Sequence, residues 1–295
     1  MNGLRLRLPA TSANLGPGFD ALGLALSLHL EIEARPAGAW SIDATGRDAD
    51  LCARIDGNLI LDTYRDRLAR VTAPLLALKL RNEIPLGMGC GSSAAAILAG
   101  VALASHFGAL KLTDAEIVAE ASRREGHPDN VAACWLGGFT VSAMTEQSVE
   151  TVTFPGDPTW ELMLAMQPTA LATSKARALL PESYAKADAV FNVQRSSLLV
   201  AAFAHGRLDL LRTAMQDRLH QPYRAQACPL LGRLLPLAAE PWVAGVALSG
   251  AGPSVLVILD SSATPEDKAK LLASAGPGVE WLPLRIAGPA EMQPL

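Results

Sequence analysis

Hydrophobic and polar residues alternate in Leu4-Arg5-Leu6-Arg7-Leu8 and again in Leu26-Ser27-Leu28-His29-Leu30-Glu31-Ile32-Glu33. Successive side chains of a strand point to opposite faces, so both segments read as strands with one buried face. Residues 10–23 between them are small and polar and read as a loop. From Gly57-Asn58 onward the period lengthens: Leu61, Tyr64, Leu68, Val71 and Leu75 recur at helical spacing. A strand around 78–82 leads into Ile84-Pro85-Leu86-Gly87-Met88-Gly89-Cys90-Gly91-Ser92-Ser93, and the alanine-rich run that follows predicts a helix to about Phe107. Thr113 and Glu116 have the spacing of a capping box before the next helix. Strands are predicted over 137–143 and 149–154.

Pro155-Gly156-Asp157-Pro158 is a turn cluster and the best boundary signal in the chain. It divides the chain into residues 1–155 and 156–295. Beyond it the pattern predicts a strand over 161–166 and helices over 174–180, 187–205 and around 208–219. Strands over 243–248 and 254–259 flank a second glycine turn, Ser249-Gly250-Ala251-Gly252-Pro253. A helix capped by Thr264 and a strand over 279–285 follow. Strands and helices mixed in this order predict an α+β fold in both halves.

Composition narrows the function classes. The 295 residues carry 25 basic and 29 acidic side chains without a long basic run, which argues against nucleic acid or a membrane surface as partner. Cysteines 52, 90, 134 and 228 form no C-x-x-C pair, so neither a zinc site nor a disulfide framework is expected. The longest apolar run, 94–104, falls short of the roughly 20 residues that span a bilayer. A soluble, cytoplasmic protein with reduced thiols is the expectation.

The candidate chemistry centres on the glycine-serine loop. Glycines 87, 89 and 91 let the backbone adopt positive φ and let a ligand approach closely. Ser92 or Ser93 can cap the following helix, whose first turn offers unpaired N–H groups and the positive end of the helix dipole. That combination suits a phosphate chain. No lysine follows the glycines, so the loop is not of the G-x-x-x-x-G-K-[ST] type. Cys90 lies inside the loop and has two readings: a buried inert residue, or a thiol acidified by the helix N-terminus.

Three motifs stand in order: Pro9-Ala-Thr-Ser-Ala-Asn-Leu-Gly-Pro-Gly-Phe-Asp20, the glycine-serine loop, and Ser249-Gly-Ala-Gly-Pro-Ser254. Together they resemble the GHMP kinase superfamily. Glu125-Gly-His-Pro-Asp-Asn-Val131, Thr173-x-x-x-Arg177 with Leu180-Pro181, His220-Gln-Pro-Tyr-Arg224 and the chain length narrow the resemblance to its homoserine kinases. The resemblance covers essentially the whole chain. It implies two domains, an N-terminal one like ribosomal protein S5 and a ferredoxin-like C-terminal one, with the active site in the cleft between them. It implies ATP-dependent phosphorylation of L-homoserine, a step toward threonine, by a homodimer.

The resemblance also implies the site residues. Asn14, Asp20, His127, Asn130, Arg177 and Arg224 would line the amino-acid pocket, with Thr173 at its edge. The two arginines are charged forks suited to a carboxylate, and Asp20 can take an ammonium group. Pro85, Leu86, Gly87, Met88, Gly89, Cys90, Gly91, Ser92 and Ser93 would hold the nucleotide's phosphates, and Asn58 would contact the nucleoside. Mg²⁺ would sit between Ser93 and Glu125, both oxygen donors. Asn130 stands where other branches place an aspartate base, and would orient the substrate hydroxyl. Asp129 beside it is either a contact or a brace for the loop. Two departures stand out: Cys90 where the family usually has leucine, and Ala133-Cys134-Trp135, which adds bulk near the substrate loop. A kinase of another small alcohol and a non-catalytic nucleotide-binding homologue are the alternatives. The first fits less well, because such acceptors lack an ammonium group for Asp20.

Overall fold

In the computed structural model the described residues are 2–71, 73–146, 148–167 and 173–295. The strands are β1 (Leu4–Ala13), β2 (Leu22–Ala37), β3 (Ser41–Gly46), β4 (Leu75–Asn82), β5 (Phe139–Met144), β6 (Val149–Phe154), β7 (Leu162–Met166), β8 (Val243–Leu248), β9 (Val255–Leu259), β10 (Glu280–Leu284) and β11 (Glu291–Pro294). One sheet runs β11-β1-β2-β4-β3, with β5 added to β2 and β6 to β5; the other runs β10-β7-β9-β8. The 16-residue β2 is the hinge of the first sheet. Its far half pairs with β4 through Leu30–Ala37, and its near end pairs with β5 through Leu22–Leu24.

The two alternating segments become β1 and β2 with the faces expected: Leu4, Leu6 and Leu8 are buried, as are Leu26, Leu30 and Ile32, while Arg5 is exposed. The region read as a loop is only partly one. After a register shift between Pro9 and Ala10, β1 continues to Ala13 with Thr11 opposite Ala25 and Ser12 opposite Leu24. Thr11 and Ser12 are fully buried, and Thr11 N–H donates to Cys90 O at 3.0 Å. A strand covered on both faces, beneath a tight loop, needs small side chains and shows no alternation. The helix predicted through Leu75 is shorter: it is Leu59–Arg67, and Leu75 already belongs to β4. β3, the helix Asp129–Leu136 and β11 were not expected from the pattern. β11, with four exposed residues, carries the chain end back to the first sheet.

The helix Ser92–Phe107 is buried on nearly every side and lies against β1 and the helices Leu59–Arg67 and Asp114–Glu125. Both expected caps form: Thr113 with Glu116 before Asp114–Glu125, and Thr264 with Asp267 before Pro265–Ser274. The turn at 155–158 lies between β6 of the first sheet and β7 of the second. One apolar cluster nevertheless takes residues from both sheets, and a second lies within the C-terminal half. Phe139 of β5 stacks on Phe203 at 4.0 Å, and Trp160 packs against the same ring. Arg47, just past β3, pairs with Glu280 of β10.

Candidate active site

Asn82 at the end of β4 turns the chain into the loop. Its Nδ2 donates to Ile84 O at 2.9 Å and to Arg47 O at 3.1 Å, while Oδ1 accepts from Ile84 N at 3.1 Å. Gly87, Gly89 and Gly91 follow at φ +69°, +75° and +70°. A Cβ on Gly89 would lie 2.2 Å from Ser249 O, and one on Gly91 would lie 1.9 Å from Thr11 Oγ1. The loop is therefore pressed between two other motifs, and Ser249 Oγ clips it by donating to Gly89 O at 2.7 Å. The helix that follows is capped by the left-handed Gly91 without a side-chain cap, so the serine cap expected from the sequence does not form. The first-turn N–H groups of the helix have no intrahelical acceptor, and Gly91, Ser92 and Ser93 line the cleft.

Cys90 takes the inert reading. It is buried, and burial pushes its thiol up to about 12. It lines the cleft with the glycines around it, and its thiol donates to Met88 O at 3.7 Å. Pro85 is buried and Met88 packs on the core, so neither lines the cleft. Asn58 lines it, but its side chain has a structural task. Oδ1 accepts from Ile60 N and Leu61 N as a helix cap, and Nδ2 donates to Cys52 O. Ala133, Cys134 and Trp135 are buried within Asp129–Leu136, with the Trp135 indole donating to Asp114, and none of the three lines the cleft.

At the end of the loop Ser93 Oγ donates to Glu125 Oε2 at 2.8 Å. Burial raises the Glu125 carboxyl above its ordinary range, against the opposing pull of the Ser93 hydrogen bond. Two hard oxygen donors side by side at a phosphate loop fit Mg²⁺, which completes its shell with phosphate oxygens and water.

Beyond this point the cleft becomes polar. Asp129 is buried, and its Oδ1 accepts from His127 Nδ1 at 2.6 Å, Asn130 N at 2.7 Å and Asn130 Nδ2 at 3.2 Å. It is the brace of the loop. Asn130 Oδ1 accepts from Thr11 Oγ1 at 2.6 Å. A hydrogen-bonded chain thus runs from beneath Gly91 to His127. Asn14, at φ +69°, accepts from Asp20 N at 3.0 Å and donates to Gly250 O at 2.9 Å, so it joins the first and third motifs. Asp20 and Arg177 form a two-pronged pair at 2.9 Å on each prong. Thr173 opens the short helix Thr173–Arg177, and its side chain lies outside the described residues.

Arg224 is different. It is 2% exposed yet pairs with no carboxylate among the described residues. Its donors go to Ala176 O, Gly250 O and His220 Nδ1, and its guanidinium lies 5.3 Å from the Phe19 ring centre. Burial lowers its pKa and the nearby Arg177 charge adds to that. A buried cation among carbonyls needs an anion. Thr11 and His220 were given no role from the sequence, although both lie inside motifs already singled out. Their task, holding Asn130 and Arg224, is visible only once the chain is folded.

These pieces line one cavity of about 460 Å³, from Leu51, Leu59 and Ile60 past the loop to Arg177 and Arg224. The chain matches the family model of the GHMP kinases N terminal domain over residues 58–138 and that of the GHMP kinases C terminal domain over 199–277. It is 48% identical to the homoserine kinase of Solibacter usitatus, over 86% of this chain and 84% of that one. The chain belongs to the homoserine kinase family of the GHMP kinases. The homoserine kinase of Streptomyces avermitilis is 39% identical over 99% of this chain and 96% of its own. The crystal structure of the Cytophaga hutchinsonii homoserine kinase shares the fold, with a TM-score of 0.81 at 24% identity over 99% and 98% of the two chains. The enzyme has the two-domain GHMP kinase fold and is an ATP-dependent small-molecule kinase.

Two histidines of this kinase titrate in opposite directions. His220 is fully buried, with Nε2–H donating to Gly16 O at 2.7 Å. Burial lowers its pKa; Asp217 opposes and Arg224 reinforces. Its contribution to stability is present above the ordinary value of about 6.5 and is lost as pH falls through the lowered one. For His127 burial alone would lower the pKa, but the hydrogen bond and charge of Asp129 outweigh it and the net shift is upward. Its contribution is present below about 6.5 and is lost as pH rises through the raised value. An NMR titration of the imidazole signals is expected to give the His127 midpoint above that value and the His220 midpoint below it. The reverse order would refute the hydrogen-bond assignments.

Proposed function

We propose that this enzyme transfers the γ-phosphoryl group of ATP to the side-chain hydroxyl of L-homoserine, giving O-phospho-L-homoserine and ADP in threonine biosynthesis. The observation that carries the reading is Arg224, a buried guanidinium that lines the cleft and has no carboxylate partner among the described residues. A substrate carboxylate neutralises it, and the Asp20 carboxylate beside it suits the substrate ammonium. The names of relatives up to 48% identical supply which hydroxy amino acid is meant.

The residues divide the work. Loop amides and the helix N-terminus hold the phosphates. Ser93 and Glu125 would hold Mg²⁺, which would offset charge on the transferring phosphoryl group. Asn130, fixed by Thr11 and Asp129, orients the hydroxyl oxygen toward the γ-phosphorus. That O–P bond forms as the bond to the β-phosphate bridging oxygen breaks; ADP departs and the hydroxyl proton passes to phosphate or solvent. Asp129 Oδ1 already accepts three hydrogen bonds, so it braces Asn130. Orientation and charge supply most of the rate in such transfers. A cytoplasmic homodimer is the setting we propose on the family resemblance.

ADP release with ATP, Mg²⁺ and either L-homoserine, mevalonate, galactose or L-threonine tests the reading. Turnover is expected with L-homoserine and not with the others; preference for another acceptor would overturn the pocket. Glu125→Gln is expected to lower kcat at least tenfold and raise the Mg²⁺ concentration needed for half-maximal rate. An unchanged Mg²⁺ requirement would remove Glu125 from the metal.

A further inference from the structure

The chain enters the glycine loop through Asn82 at the end of β4, and a three-residue clasp grips it there. Gly46 ends the edge strand β3 in parallel register with Asn82, and Arg47 and Asp48 follow it. Gly46 has φ +88°, and a Cβ on it would fall 2.2 Å from Asn82 O, so the two backbones touch. Arg47 N–H donates to Asn82 O at 2.7 Å, and Arg47 O accepts from Asn82 Nδ2 at 3.1 Å. Asp48 Oδ2 accepts from Leu86 N at 3.1 Å, one residue before Gly87. The clasp therefore holds both ends of residues 82–86, the segment that leads into the glycines. It is itself tied to the second sheet. The Arg47 guanidinium meets the Glu280 carboxylate of β10 through both terminal nitrogens, with Nη1 donating to Oε2 at 3.0 Å. Arg47, Asp48 and Glu280 all lie outside the lining of the cleft.

We infer that Arg47, held by Glu280, is a positioning residue for the glycine loop, fixing through Asn82 and Leu86 where its N–H groups meet the nucleotide. This rests on the reading that the loop amides hold the phosphates. A two-pronged guanidinium–carboxylate pair fixes direction as well as distance. Its side chains are 35% and 48% exposed, so the pair adds little to folding stability and its removal leaves no buried charge behind. Arg47 has a rival task, as a positive charge acting on the phosphates at a distance. The two tasks give Glu280→Gln opposite signs. If Arg47 acts by its charge, deleting the Glu280 carboxylate removes a negative charge near a polyphosphate and tightens binding. If Arg47 acts by holding the clasp, the same deletion releases it and weakens binding.

Titration calorimetry with the non-hydrolysable ATP analogue AMP-PNP and Mg²⁺ reads that sign on Arg47→Gln, Glu280→Gln and the double variant. No acceptor is present, so the result does not depend on which alcohol is phosphorylated. Each single substitution is expected to weaken the analogue about three- to fivefold, the upper range for an exposed ion pair. The double variant is expected to lose no more than either single one, because both break the same contact. Asp48→Ala, which also removes a negative charge, is expected to weaken the analogue as well. KM for the acceptor and the melting temperature are expected to stay at their wild-type values. Tighter binding by Glu280→Gln, additive losses in the double variant, or wild-type affinity in both single variants would overturn the inference. Gly91→Ala, which distorts the loop directly, is the reference. If it leaves the affinity intact, the reading of the loop as the phosphate site fails. If it abolishes binding while both pair variants bind as wild type does, the positioning role alone fails.

Discussion

Gly91→Ala is expected to destabilise the enzyme by about 2–5 kcal/mol, the sum of a left-handed backbone penalty and an overpacked contact. It is also expected to lower kcat/KM for ATP at least a hundredfold. The residue sits at φ +70°, and the added methyl would fall 1.9 Å from Thr11 Oγ1 and 3.2 Å from Asn130 Oδ1. Thr11 is fully buried in β1 and bound through its N–H to Cys90 O, so it cannot step aside without moving the loop. Either Thr11 rotates and Asn130 loses its donor, or Gly91 shifts and the helix N-terminus turns away from the phosphates. Gly126→Ala is the control. It also has positive φ, at +90°, but its Cβ would meet open space, so only the backbone penalty of about 1–2 kcal/mol remains. Urea unfolding and steady-state kinetics on the two variants measure the contrast. Equal losses would mean that the packing of Thr11 against Gly91 contributes nothing.

Arg224→Met is expected to reduce kcat/KM for L-homoserine by about 10²–10³, the range for truncating one partner of a desolvated, hydrogen-bonded charge pair. Stability is expected to change little. Arg224 has no ion pair among the described residues, and removing the buried charge also removes its desolvation cost, which offsets the loss of its hydrogen bonds to Ala176 O, Gly250 O and His220 Nδ1. Methionine retains much of the volume beside Phe19. The combination of a large kinetic loss with a small shift in melting temperature is the mark of a residue kept for its ligand. A large stability loss with unchanged KM would identify Arg224 as a structural cation instead.

The sequence carried much of this architecture in plain form. β1 and β2 announce themselves by alternation, and the capped helices by Thr113–Glu116 and Thr264. What stayed hidden has physical causes. Residues 10–13 form a strand without alternation because both faces are covered and only small side chains fit. The cap of Ser92–Phe107 was assigned to a serine because serine is the commoner cap, whereas here the left-handed Gly91 is needed by the loop and frees Ser93 for Glu125. Asn58 is conspicuous in the chain, yet its amide is occupied by the helix it starts. Pairings across long sequence separations, Thr11 with Asn130 and Asp20 with Arg177, have no local signature; the partners lie 119 and 157 residues apart. The motifs therefore point to the right residues without revealing that two of them hold each other.

The most direct test of phosphoryl transfer to the amino acid follows the phosphorus itself. ³¹P NMR of wild-type enzyme with ATP, Mg²⁺ and L-homoserine should show a phosphomonoester signal coupled to the methylene protons beside the former hydroxyl, growing at the rate at which ADP appears. Inorganic phosphate growing in its place, or no change in the ATP signals, would contradict the transfer.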